Sequence, residues 1–115
     1  MSNLKKVQAA DFKAEVMDSK LPVIIDFYAD WCPPCRMLGP ILDRLSTEFT
    51  GQIKFLKVNS DEEQALSAAF KVTGLPTLVF MDRGKNVGQL PGLPAENTLR
   101  LELKKWLASR TANGQ

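Results

Sequence analysis

The run Val23-Ile24-Ile25-Asp26-Phe27-Tyr28-Ala29 constrains this chain more than any other feature. It is nearly unbroken in apolar residues and rich in β-formers. A strand of that kind is stable only when both of its faces are covered, so it belongs at the centre of a sheet. The chain leaves it through Asp30-Trp31-Cys32-Pro33-Pro34-Cys35 and enters a helical pattern at once. A buried strand that feeds a helix start is one half of a βα unit, and it places whatever lies at the junction on the rim of the sheet.

The remaining segments fit around that strand. Ile53 to Val58 and Thr77 to Met81 read as further strands. The turn Asp82-Arg83-Gly84-Lys85 leads into a short edge strand around Asn86 to Leu90. Helical spacing is expected over Ala9 to Met17, with Phe12 and Val16 on one face. It recurs over Pro34 to Phe49, through Leu38, Leu42, Leu45 and Phe49. A third helix is expected from an N-cap at Ser60, with Leu66, Ala69 and Phe70 inward. The last spans Glu96 to Ser109, with Leu99, Leu103, Trp106 and Leu107 on its stripe. Pro40 lies within the second of these and is expected to kink it. Alternating strands and helices predict an α/β fold with helices on both faces of a mixed sheet. The chain has 115 residues, which suits one domain over residues 1–110, followed by a polar tail at 111–115.

Several function classes are excluded early. The chain holds two cysteines and no histidine. Cys–His and Ser–His dyads are therefore impossible, and two cysteines alone do not complete a structural zinc site. No metal and no bound cofactor are expected. The net charge is +2, with basic residues scattered among acids, which argues against nucleic acid as a partner. No apolar run reaches the roughly 18 residues of a membrane span. The N-terminal segment also lacks the apolar stretch of a signal peptide, so a cytoplasmic location is expected.

The chemistry gathers at Cys32 and Cys35. Two cysteines three apart in one helical turn stand close enough for their sulfurs to bond. A helix N-terminus offers free N–H groups and partial positive charge, both of which stabilise a thiolate. Pro33 suits the first helical position, yet neither Pro33 nor Pro34 has an N–H to give, leaving the Cys35 amide as the donor of that turn. The strand end is expected to expose Cys32 while Cys35 points inward. Asp26 breaks the apolar run, and a buried carboxylate without a partner is unfavourable by several kcal/mol or takes up a proton. It reads as a strand end, as part of a satisfied polar network, or as a proton acceptor for Cys35. Lys57 on the next strand is its natural partner, or else a solvated strand lysine. Pro76, before the third strand, can close a loop with either a trans or a cis bond.

The segment Phe27-Tyr28-Ala29-Asp30-Trp31-Cys32-Pro33-Pro34-Cys35 closely resembles the signature of the thioredoxin family. Asp26, Pro40, Lys57, Gly84 and Gly92 also stand where that family has them, and Leu75-Pro76-Thr77 resembles its cis-proline loop. The resemblance covers about Phe12 to Leu107. It implies a thioredoxin fold, with a central mixed β-sheet of about five strands flanked by four helices. It implies that Cys32 attacks a substrate disulfide, that Cys35 resolves the mixed disulfide, and that Asp26 and Lys57 assist proton transfer. Trp31, Pro34, Leu75, Pro76 and Gly92 would form the platform for an extended substrate segment. The implied partners are disulfide-containing proteins and an NADPH-dependent thioredoxin reductase, with the chain a monomer. Three residues depart from the pattern. Pro33 replaces a usual Gly, Tyr28 a common Trp, and Pro91 precedes Gly92. Residues between the cysteines tune redox poise, which keeps two alternatives in view: a disulfide oxidase or isomerase, and a non-catalytic binding module.

Overall fold

The computed structural model describes residues 2–112. Strands β1 (Lys5–Lys6), β2 (Val23–Tyr28), β3 (Lys54–Asn59), β4 (Thr77–Asp82) and β5 (Lys85–Pro91) form one sheet in the order β1-β3-β2-β4-β5. The apolar run therefore takes the middle place. β2 runs parallel to β3 and antiparallel to β4, which makes the sheet mixed. The expectation of an α/β sheet with helices on both faces holds.

Alternation along β2 divides the core. Val23, Ile25 and Phe27 pack with Val7, Val16, Leu56, Val58, Val79 and Met81 on one face. Ile24 packs on the other with Leu38, Leu42 and Leu45 of helix α1 (Pro33–Glu48) and with Leu99 and Leu103 of helix α3 (Glu96–Ala112). Each of these leucines is fully buried and contributes about 1.5–3 kcal/mol of hydrophobic stabilisation. On the outside of the same layer, Arg44 of α1 pairs with Glu96 of α3, and Arg100 of α3 pairs with Glu48 of α1 and with Glu96 of its own helix.

The details differ from the sequence reading at four places. The first helix is a 3-10 turn, Ala9–Asp11, followed by a π-helical segment, Lys13–Met17; its inward residues are still Phe12 and Val16. Helix α2 covers only Gln64–Ala69, starting four residues later than its expected cap at Ser60. The reason is Asn59, whose buried side chain accepts from the Asp61 and Glu62 amides and closes a turn there. Ala69 is exposed, while Leu66 and Phe70 pack inward. Two lysines, Lys5 and Lys6, form edge strand β1, which the apolar pattern gave no reason to expect. Helix α3 extends to Ala112, into the segment expected as a tail, and residues 113–115 lie outside the described residues.

Candidate active site

Strand β2 ends at Tyr28, and α1 begins at Pro33 with Cys32 as its N-cap. Cys32 has an extended backbone, and its sulfur accepts a hydrogen bond from the Cys35 amide at 3.2 Å. With Pro33 and Pro34 in the first turn, that amide is the one the turn can supply. Cys32 and Cys35 are joined by a disulfide across a Cα–Cα distance of 5.2 Å. Both are buried, at 2% and 4% exposure, against Tyr28, Ala29 and Leu75. The exposed Cys32 expected from the strand end is thus corrected: in the oxidised state the neighbouring loop of Leu75 covers it.

Asp26 stands on the same face of β2 as Ile24 and Tyr28. Ile24 touches α1 through Leu38 and Leu42, and Tyr28 packs with the cysteines. The carboxylate is therefore on the side of the sheet that α1 covers. It is 3% exposed, and its Oδ1 has no hydrogen-bond partner. Burial pushes its pKa up from 3.8 to about 7, against a smaller downward pull from the Lys57 charge. Among the described residues, no hydrogen bond reaches Asp26 Oδ1.

Lys57 faces Asp26 in the β2–β3 register. Its ammonium nevertheless forms no ion pair with that carboxylate among the described residues. It donates to the Ser2 carbonyl at 2.7 Å and lies 5.5 Å from the centre of the Tyr28 ring. The ammonium thus acts on Asp26 through its charge and not as an ion-pair partner, its hydrogen bond going to the N-terminal segment.

The expected platform residues come together around the disulfide. Trp31 is 65% exposed, and its indole N–H donates to Asp61 Oδ2 at 2.8 Å. Asp61 is a brace that sequence reasoning missed, since Ser60-Asp61 read there as the start of a helix. Trp31 and Leu75 both line a groove of about 250 Å³, along with Val72 and Gly74. The Leu75–Pro76 bond is cis. Its loop is held by Thr77 Oγ1 donating to the Gly74 carbonyl, at 2.7 Å, and by the Gly92 amide donating to the Pro76 carbonyl, at 2.8 Å. Gly92 has φ +91°, a conformation that disfavours side chains with a Cβ. Pro34 is exposed beside the cysteines. A larger hollow of about 380 Å³, between β5 and α3 and lined by Phe80, Leu90, Glu102 and Trp106, holds neither cysteine.

A disulfide made within one helical turn, at the end of the central strand of an α/β sheet, defines the thiol–disulfide oxidoreductases. Comparison with known proteins makes this specific. The family model for Thioredoxin matches residues 3–105. The Thioredoxin of Synechocystis sp. is 38% identical over 107 residues, which is 93% of this chain and all of that relative. The Thioredoxin of Haemophilus influenzae is 42% identical over 95 residues, covering 79% of this chain and 89% of its own. The Thioredoxin of Rickettsia felis is 40% identical over 93 residues, covering 81% and 89%. The chain belongs to the thioredoxin family. It is a thiol–disulfide oxidoreductase acting through Cys32 and Cys35, and its reaction is the reduction of protein disulfides.

Proposed function

We propose that Cys32 is the attacking sulfur, Cys35 the resolving sulfur and Asp26 the proton acceptor of a general protein-disulfide reductase. The observation that carries this is the buried Asp26 Oδ1, which has no hydrogen-bond partner and lies on the strand that leads into the helix holding both sulfurs. The Cys32 thiolate attacks a substrate disulfide. A Cys32–substrate bond forms, the substrate bond breaks, and one substrate sulfur leaves as a thiolate. Asp26 takes the Cys35 proton. The Cys35 thiolate then attacks Cys32 Sγ, closing the intramolecular disulfide and expelling the second substrate thiolate. The substrate gains two electrons, and the chain ends as the disulfide described above.

Trp31, Pro34, Leu75, Pro76 and Gly92 receive an extended segment, and the free backbone of the Leu75 loop pairs with it as an added strand. Lys57 modulates Asp26 through its charge. An NADPH-dependent thioredoxin reductase restores the dithiol, and the chain acts as a cytoplasmic monomer. No helix among the described residues is long and apolar enough to cross a membrane.

Trapping assigns the two sulfurs. Cys35→Ser should accumulate a mixed disulfide with substrate through Cys32, and Cys32→Ser should accumulate none; a trap through Cys35 overturns the assignment. The direction of electron flow is read from the reduction potential. A value near about −270 mV supports a reductase, whereas one near about −180 or −120 mV assigns the chain to isomerases or oxidases despite the same fold.

A further inference from the structure

The contacts of Lys57 lead away from the disulfide to the start of the chain. The Ser2 carbonyl that accepts from its ammonium belongs to a short segment pinned to α1 by Asp43. Asp43 Oδ1 accepts from the Asn3 amide at 2.8 Å and from Ser2 Oγ at 3.1 Å. Ser2 Oγ in turn accepts from the Leu4 amide at 3.0 Å, and Leu4 is buried in the core. One helix side chain thus fixes a segment whose carbonyl fixes a lysine on β3. That lysine is the register partner of the buried carboxylate.

We propose that Asp43 is a positioning residue: by pinning residues 2–4 it makes the Ser2 carbonyl hold the Lys57 ammonium away from Asp26, which leaves that carboxylate unpaired to accept a proton. The inference rests on the reading of Asp26 as the proton acceptor. A lysine free to swing would find an unpartnered buried carboxylate opposite it on the neighbouring strand. An ion pair formed there would favour the charged form and weaken the acceptor. The Ser2 carbonyl prevents this by offering the ammonium a neutral partner.

The charged and titratable groups on this side of the sheet are few. Tyr28 lies on β2 itself. Lys57 comes from β3, and Lys6 from β1, where it is paired with Glu62. Helix α1 brings Cys35, held in the disulfide, and Asp43. Strand β4 opposes Asp26 with Leu78, and α3 presents Leu99 and Leu103. Among the described residues, Lys57 is therefore the one cation placed to answer Asp26 directly.

The test is to follow the Asp26 carboxyl signal through a pH titration of the oxidised, full-length chain by nuclear magnetic resonance. Asp43→Ala removes the pin, and alanine is the best helix former, so α1 keeps its fold. Asp43→Asn removes the charge but keeps an oxygen that can accept from Ser2 and Asn3. The Ala variant should titrate at least about one pH unit lower than the parent, as a newly adjacent opposite charge requires. The Asn variant should stay close to the parent, and Asp43→Ala in a Lys57→Met background should have no effect. Equal shifts in the Ala and Asn variants would mean that the Asp43 charge acts directly, and would overturn the proposal. So would an unchanged Asp43→Ala titration. The measurement involves no turnover, so it stands apart from the catalytic reading. If Asp26→Asn left the pH profile of mixed-disulfide resolution unchanged, that reading would fail instead.

Discussion

Asp26→Asn isolates the energetic cost of burying one carboxyl group. In the folded chain this group titrates at about 7, and its ordinary value is 3.8. The gap is about 3 pH units, and at about 1.4 kcal/mol per unit it corresponds to about 4 kcal/mol. The sign follows from which state holds the proton. Below about pH 4 the carboxyl is protonated both folded and unfolded, so the stability is fully present. Between about pH 4 and pH 7 the unfolded chain releases the proton and the folded chain keeps it, so stability falls as pH rises. Above about pH 7 both states are ionised and the loss is complete. Asn has the same shape and no ionisation, so it carries none of this slope. Guanidinium unfolding of both oxidised proteins, at about pH 4 and about pH 8.5, gives the difference. The Asn variant should gain about 4 kcal/mol on the parent between the two pH values, all other titrating groups cancelling. Parallel behaviour, with a relative change below about 1 kcal/mol, would refute the claim that burial without a partner governs Asp26.

Three further outcomes test other parts of the structure. Pro33→Gly returns an N–H to the first turn of α1, so in the reduced protein it should raise the thiolate fraction of Cys32 at neutral pH, read from far-ultraviolet absorbance; an unchanged or smaller fraction would show that the missing donor is irrelevant. Trp31→Ala removes an exposed wall of the groove, so KM for a protein disulfide should rise several-fold while kcat stays within about two-fold; a loss confined to kcat would contradict a binding role. Leu42→Ala opens a cavity in a site with 0% exposure, between the sheet and α1, and should lower unfolding stability by about 2–5 kcal/mol with the disulfide still formed.

What was legible in the sequence followed from periodicity and from residues that broke it. Leu38, Leu42 and Leu45 announced α1 because they repeat at helical spacing, and Asp26 announced itself by interrupting a strand otherwise fit for burial. Strand β1 was hidden because Lys5 and Lys6 have no apolar pattern; they join the sheet through backbone pairing with Leu56 and Lys57. The late start of α2 was hidden because Ser60 is a good cap in isolation, while Asn59, one residue earlier, takes the Glu62 amide that such a cap would use. The partner of Lys57 comes from 55 residues away and is a backbone carbonyl, a group that no residue name reveals. Burial of Cys32 likewise depends on a loop around Leu75, remote in sequence.

That burial has a kinetic consequence. Thiol–disulfide exchange requires a thiolate to reach a sulfur along the axis of the bond it breaks. With both sulfurs shielded, a small thiol colliding at random should seldom find that line of attack, whereas a protein docked over Trp31 and the Leu75 loop, as proposed above, would approach at a set angle each time. On the proposed docking reading, the closed form is thereby insulated from the surrounding thiol pool, and its electrons are expected to arrive chiefly from partners that dock there.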